Sequence, residues 1–274
     1  MNDSRYRDIL VEDDGPIRTI CFDRERDMNR IRVTTLEELH DCLDRTSMDD
    51  TIRVVVVTGK GRSFAGGVSL DEIIGLSATE AHRLSREGHR ICSLLEGMGP
   101  ICIAAINGFA FGGGSEIALA CDIRIGSDRL RIGQPEVTLG IMPGFGATQR
   151  LSRIVGSGLA MDLILSGEII DAGRALQIGL VSRIFPAGEF EEKRHEYAHQ
   201  LLRNAPLAQK LAKKAIRASW RLAPEEGLAE ESRLFSLSFE TGEPRIGIEA
   251  FQEKRRPEWP KGTGHSSEKG VRHD

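Results

Sequence analysis

The run RVVVVT at residues 53–58 places four consecutive valines in extended-favouring sequence with no polar alternation. A strand that is apolar on both faces must be covered on both faces, which calls for a layered fold with an internal sheet. ICIAAI at 101–106 has the same character, and Ile17 to Phe22 and Asp122 to Ile125 read as further strands. Helical patterns separate them. Thr34 with Glu37, and Ser77 with Glu80, have capping-box spacing ahead of apolar-periodic stretches. Strand and helix in alternation predict an α/β fold with buried strands.

From about Asp171 the strand signals fade. Segments near 189–203, 206–221 and 224–239, each bounded by Pro or Gly, read as helices. The 274 residues suit one large domain or a domain with a smaller appendage. We divide them at 1–195, 196–258 and a polar, Gly/Ser-rich tail at 259–274 that is expected to be disordered. A formal net charge of -4 argues against a whole-chain polyanion binder. No run approaches the roughly 18 apolar residues of a membrane span, and the N-terminal MNDSRYRDIL is polar where a signal peptide is apolar. Five cysteines without a CxxC pair read as reduced, mostly buried thiols, which predicts a cytoplasmic protein. The seven histidines are read as surface or packing residues, and no metal site is expected.

Three glycine-rich segments carry the candidate chemistry. GKGRSFAGGVSLDE (59–72) follows a buried strand and leads into a helix, with Ser69 and Glu72 at capping-box spacing. Sheets of this class place ligands at such strand ends, and Gly66 and Gly67 let backbone approach one closely. A tight strand-to-helix turn explains the segment equally well, and the Gly-x4-Gly-Lys-Ser/Thr spacing of a phosphate loop is absent. NGFAFGGGSEIALACD (107–122) opens a helix with a Gly triplet, whose free N–H groups can hold a developing oxyanion. Gly113 has no side chain to block that approach. Glu116 falls on the same helix face among Ile117, Ala118 and Leu119, either as a desolvated acid–base group or as a partner of the helix dipole. In RIGQPEVTLGIMPGFGATQRL (131–151), Glu136 sits among apolar residues. Burial there raises its pKa and keeps it available as an acid; a solvated turn residue is the plain alternative. Two glutamates from separate segments can serve one water as base and acid.

Together these segments resemble the enoyl-CoA hydratase/isomerase (crotonase) family. The resemblance runs in register from about Ile17 to Lys254, through FAGGVSL, NGFAFGGGSEIALACD, GQPEVTLGIMPGFGATQRL, LILSGEIIDAGRALQIGLVSRI and FQEKRRP. It implies an α/β, crotonase-like spiral of ββα units over 1–195 that binds acyl-CoA. A C-terminal helical trimerisation region over 196–258 would form homotrimers, often paired into hexamers. By the same resemblance the N–H groups of Val68 and Gly113 form an oxyanion hole for the thioester carbonyl. Glu116 is the base that activates water toward Cβ, and Glu136 supplies the proton to Cα. Gly144 lies beside that water, Gly66 lies where backbone receives the CoA adenine, and Phe251 and Lys254 come from a neighbouring subunit to the CoA nucleotide. The implied activity is enoyl-CoA hydration, with no cofactor beyond the coenzyme A of the substrate and with neither nucleic acid nor membrane as partner. Double-bond isomerisation, dehydration of an unusual acyl chain and an RNA-binding relative are the rival readings.

Two departures from the family pattern stand out. Val68 and Ser69 replace a common Ala-Asp pair; Ser69 keeps a good N-cap, and the branched Val68 is expected to narrow the acyl pocket. In DRERDMNRIRVTT, Arg24, Arg26 and Arg30 either neutralise CoA phosphates or form a solvated basic loop. Lys210, Lys214, Arg217 and Arg221 line one helix face that is solvated, meets CoA phosphate or a subunit, or holds RNA.

Overall fold

The computed structural model describes residues 5–260; of the tail expected at 259–274, residues 261–274 lie outside them. In chain order the elements begin with β1 (Ile9–Asp14), β2 (Ile17–Phe22), α1 (Val33–Ser47), β3 (Val54–Gly59), β4 (Ser63–Ala65), α2 (Leu70–Ile73) and α3 (Ala78–Gly97). They continue with β5 (Ile101–Ile106), β6 (Phe109–Phe111), α4 (Gly113–Ala120), β7 (Ile123–Ser127), β8 (Arg131–Gly133), α5 (Ala147–Val155) and α6 (Ser157–Ser166). The remainder is β9 (Ile169–Asp171), α7 (Ala172–Gln177), β10 (Arg183–Phe185), α8 (Phe190–Leu202), α9 (Pro206–Ala218), α10 (Pro224–Glu240) and α11 (Glu243–Gln252).

The valine run predicted as a buried strand is β3, in the middle of a six-stranded sheet ordered β1-β2-β3-β5-β7-β10. Its side chains alternate between two apolar layers, as the two-residue period of a strand requires. Val55 and Val57 join Cys102, Ala104 and Ile106 in the larger core. Val54 and Val56 join Ile103, Ala105 and Ile125 on the other face, which Phe190 and Ala198 of α8 cover. Each fully buried valine adds about 1.5 kcal/mol or more, so neither layer is dispensable.

Three ββα repeats follow one another: β3–β4 with α2 and α3, β5–β6 with α4, and β7–β8 with α5. The first strand of each pair enters the six-stranded sheet and the second enters a four-stranded sheet ordered β4-β6-β8-β9. β4, β6 and β8 are mutually parallel, so their C-terminal ends lie along one edge. This spiral is the fold the resemblance implies.

The chain divides into two compact units, one up to Ser47 with Ile52–Arg203, the other Met48–Thr51 with the residues from Asn204. The expected division at 195/196 falls inside α8, which goes with the first unit because its apolar face closes the second sheet layer. In the second unit α9 packs on α10, and Glu243 at the start of α11 accepts from the Leu207 and Ala208 N–H groups at 2.9 and 2.8 Å. That carboxylate satisfies the free first-turn donors of α9.

The capping predictions divide. Ser77 and Glu80 form the expected box at the start of α3. Thr34 and Glu37 do not, because α1 starts at Val33, two residues earlier than a Thr34 cap requires. Thr35 does the work instead, its Oγ1 accepting from the Arg32 N–H at 3.0 Å and donating to Asp8 at 2.6 Å. Ser69 is the N-cap of α2 but its side chain makes no capping bond, so the predicted Ser69–Glu72 box is also absent. All five cysteines are free thiols, four of them buried. No helix among the described residues is long and apolar enough to cross a membrane.

Candidate active site

A cavity of about 440 Å³ opens where β4, β6 and β8 end. Each repeat contributes its following residues: Gly66, Gly67 and Val68 after β4, Phe111 to Gly113 at the end of β6, and Pro135 with Glu136 after β8. Backbone that leaves three parallel strands at one edge converges there, so the topology places the site. The wall opposite is apolar, built from Ile73, Leu76, Leu84, Met142 and Phe145.

Gly112 and Gly67 show why glycines flank these turns. Gly112 has φ +48, and a Cβ there would lie 3.1 Å from Oε1 of Glu136. Gly67 has φ +88, and its Cβ would meet the Phe111 carbonyl oxygen at 3.1 Å. L side chains rarely hold such backbone, and here they would also occupy the site.

Val68 forms an isolated parallel bridge with Ile31. In that bridge Ile31 donates to the Gly67 carbonyl and accepts from the Ser69 N–H, both at 2.8 Å. The N–H of Val68 therefore points to the other side. Gly113 is the first residue of α4, where N–H groups have no partner within the helix. The two residues are neighbours, since a Cβ on Gly113 would lie 3.1 Å from Cγ2 of Val68.

Glu116 is only 1% exposed. Its Oε1 accepts from the Phe145 and Ala147 N–H groups, each at 2.8 Å, leaving the other oxygen outside this clamp. The carboxylate thus hydrogen-bonds a distant loop rather than the N–H groups of its own helix terminus. Burial pushes its pKa up against the opposing pull of those backbone donors. Glu136 sits in a 3₁₀ turn, Pro135–Leu139, next to Gln134, whose Nε2 donates to Ser115 Oγ of α4 at 2.9 Å. Burial, with the Glu116 charge in addition, pushes the Glu136 carboxyl up to about 7. Its Oε2 is buried with no partner among the described residues.

The loop that clamps Glu116 is itself braced. Ser85 of α3 donates to the Gly144 carbonyl at 2.6 Å. Arg150 of α5 donates to the Phe145 carbonyl at 2.8 Å and to both oxygens of Glu96 at 2.8 and 3.0 Å. Gly144 lines the cavity, and a Cβ there would meet nothing within 4 Å. Gly88 of α3 leaves room for the Phe145 ring, because a Cβ there would lie 2.0 Å from the ring. Gly88→Ala is accordingly expected to lower stability by about 1–3 kcal/mol through overpacking. Denaturant unfolding measures that loss, and an unchanged midpoint would mean that the ring moves freely.

The basic loop resolves residue by residue. Arg24 is engaged by Asp27 at 2.9 Å and the Arg30 carbonyl at 3.1 Å, Arg26 is exposed, and Arg30 lines the cavity beside Gly66. Phe251, 84% exposed, and Lys254 belong to the second unit. Sequence reasoning missed the Phe145 and Ala147 donors and the Glu96–Arg150 brace. The signal available for the donors was GFGATQR, a glycine turn ahead of a helix start.

Residues 12–262 match the family model described as enoyl-CoA hydratase/isomerase. A short-chain-enoyl-CoA hydratase of Clostridium acetobutylicum is 39% identical, the match covering 91% of this chain and 96% of that one. A 2,3-dehydroadipyl-CoA hydratase of Escherichia coli K12 is also 39% identical, over 92% and 98%. The solved structure of an enoyl-CoA hydratase from Bacillus anthracis superposes with a TM-score of 0.89 at 36% identity, covering 93% of this chain and all of that one.

Proposed function

Because the chain belongs to the enoyl-CoA hydratase/isomerase family, we propose that it adds water across the 2,3 double bond of a 2-enoyl-CoA and catalyses the reverse dehydration. The observation that carries this reading is the pair of glutamates, both with raised pKa, facing one cavity. Coenzyme A is part of the substrate, and the proposed addition of water uses no other cofactor.

The Val68 and Gly113 N–H groups receive the thioester oxygen and stabilise the enolate that forms as water adds. Glu116, its Oε1 clamped by the loop, takes a proton from water as the oxygen attacks Cβ. Glu136 delivers its proton to Cα. Gly144, with no side chain in the way, borders the water. The apolar wall supports a hydrocarbon acyl chain, with Val68 narrowing the entrance. Gly66 and Arg30 border the CoA, and the C-terminal region from residue 196 forms a homotrimer or hexamer that lends Phe251 and Lys254 to a neighbour's nucleotide. Exposed Leu228, Phe235 and Phe239 on α10 support such burial between subunits.

The chemistry fixes a proton count. Hydration starts with one proton on the pair, at Glu136, and ends with one, at Glu116. Both directions therefore use the singly protonated pair, and kcat/KM for hydration and dehydration should follow the same bell-shaped pH profile. Its alkaline limb is expected at or above about 7, where Glu136 loses its proton. Beyond that limb activity falls about tenfold per pH unit. Parallel profiles with crotonyl-CoA and 3-hydroxybutyryl-CoA test this; an alkaline limb near 4.5, the ordinary glutamate value, would remove Glu136 as the acid.

A further inference from the structure

Away from the cavity, three side chains of the first unit converge at the surface. His195 and His199 lie one turn apart on α8 in the segment HEYAH, and Asp14 ends β1. HEYAH has the HxxxH spacing of a metal-ligand pair, which corrects the reading of these two histidines as plain surface or packing residues. His195 Nε2 is 2.8 Å from Asp14 Oδ2, His199 Nε2 is 3.1 Å from the same oxygen, and the two Nε2 atoms are 3.2 Å apart. The rings are 4.3 Å apart between centroids.

We propose that Asp14, His195 and His199 form a binding site for a divalent transition-metal ion of the zinc class. Donors at about 2.0–2.1 Å from a tetrahedral ion stand about 3.4 Å from one another. The three atoms present already form a triangle only slightly smaller, so an ion needs an outward shift of a few tenths of an ångström. Two imidazoles and a carboxylate suit zinc and its neighbours and not magnesium or calcium, which take oxygen donors. With side chains 56%, 42% and 63% exposed, an ion has free access from solvent and room for water as a fourth ligand. Glu196, between the histidines, pairs with Lys193 at 3.0 Å. The ion would tie the β1–β2 hairpin to α8, the helix that covers the outer sheet layer.

Zn²⁺ titrated calorimetrically into the chelator-stripped full chain tests the assignment, beside Asp14→Asn and a His195→Ala/His199→Ala double variant. The wild type is expected to bind one equivalent more per chain than the double variant and to gain thermal stability from Zn²⁺ but not Mg²⁺. Asp14→Asn is expected to bind more weakly than wild type. Co²⁺ should give visible absorption bands in the wild type that the double variant lacks. His265 and His273, outside the described residues, are common to every arm and cancel. Unchanged circular dichroism in chelator shows that the variants fold. Equal Zn²⁺ stoichiometry and affinity in wild type and double variant would overturn the site, whatever the hydratase activity.

Discussion

Glu116→Gln and Glu136→Gln are each expected to lower hydration turnover by about 10² to 10⁴-fold. Glutamine at 116 can still present an amide oxygen to the Phe145 and Ala147 N–H groups, so the loop should hold its place. What it cannot do is take a proton from water. Glutamine at 136 fills the same buried space beside Gly112 but has no acidic proton to give to Cα. Combining the two should cost much less than the product of the single losses, because each glutamate acts on the same addition. Steady-state turnover of crotonyl-CoA, with circular dichroism as the control for folding, measures all three variants. Near-native turnover in either single variant would exclude the two-glutamate mechanism.

Gly113→Pro should rank next. Proline at the first position of α4 is compatible with a helix but has no N–H, and removing one oxyanion donor costs about 10² to 10³-fold. Any side chain at this position also crowds Phe145 and Val68, each 3.1 Å from the added Cβ. Gly113→Ala separates the two effects, since it adds the crowding and keeps the donor. The expected order of kcat is wild type, then alanine within about tenfold, then proline far below. Equal rates for alanine and proline would show that the Gly113 N–H does not hold the thioester oxygen.

How far the sequence discloses this molecule depends on the range of the interaction. RVVVVT predicts β3 and its burial because strand character is local and four valines leave no polar face. Ser77 and Glu80 predict the start of α3 because a capping box spans only four residues. Thr34 and Ser69 mislead for the same reason: a tertiary partner or a two-residue shift outweighs a local signal. Glu116 and Glu136 are legible as carboxylates in apolar company; burial raises Glu136, as expected, and raises Glu116 as well.

What holds them in place is not legible. The Phe145 and Ala147 N–H groups reach Glu116 across 29 and 31 residues, and Gly88 makes room for the Phe145 ring from another repeat. Asp14 meets His195 across 181 residues. Such contacts follow from strand order and register, which pattern alone does not supply.

Hydration of a 2-enoyl thioester is the proposed reaction of the cavity. The most direct measurement is the loss of enoyl-thioester absorbance when the purified chain meets crotonyl-CoA, with the product identified by mass. The expected result is a loss of absorbance and a product heavier by one water, the 3-hydroxyacyl-CoA. Tight binding of CoA esters with no water gained, on crotonyl-CoA or on longer and branched enoyl-CoAs, would contradict it and assign the glutamate pair to another acyl-CoA reaction.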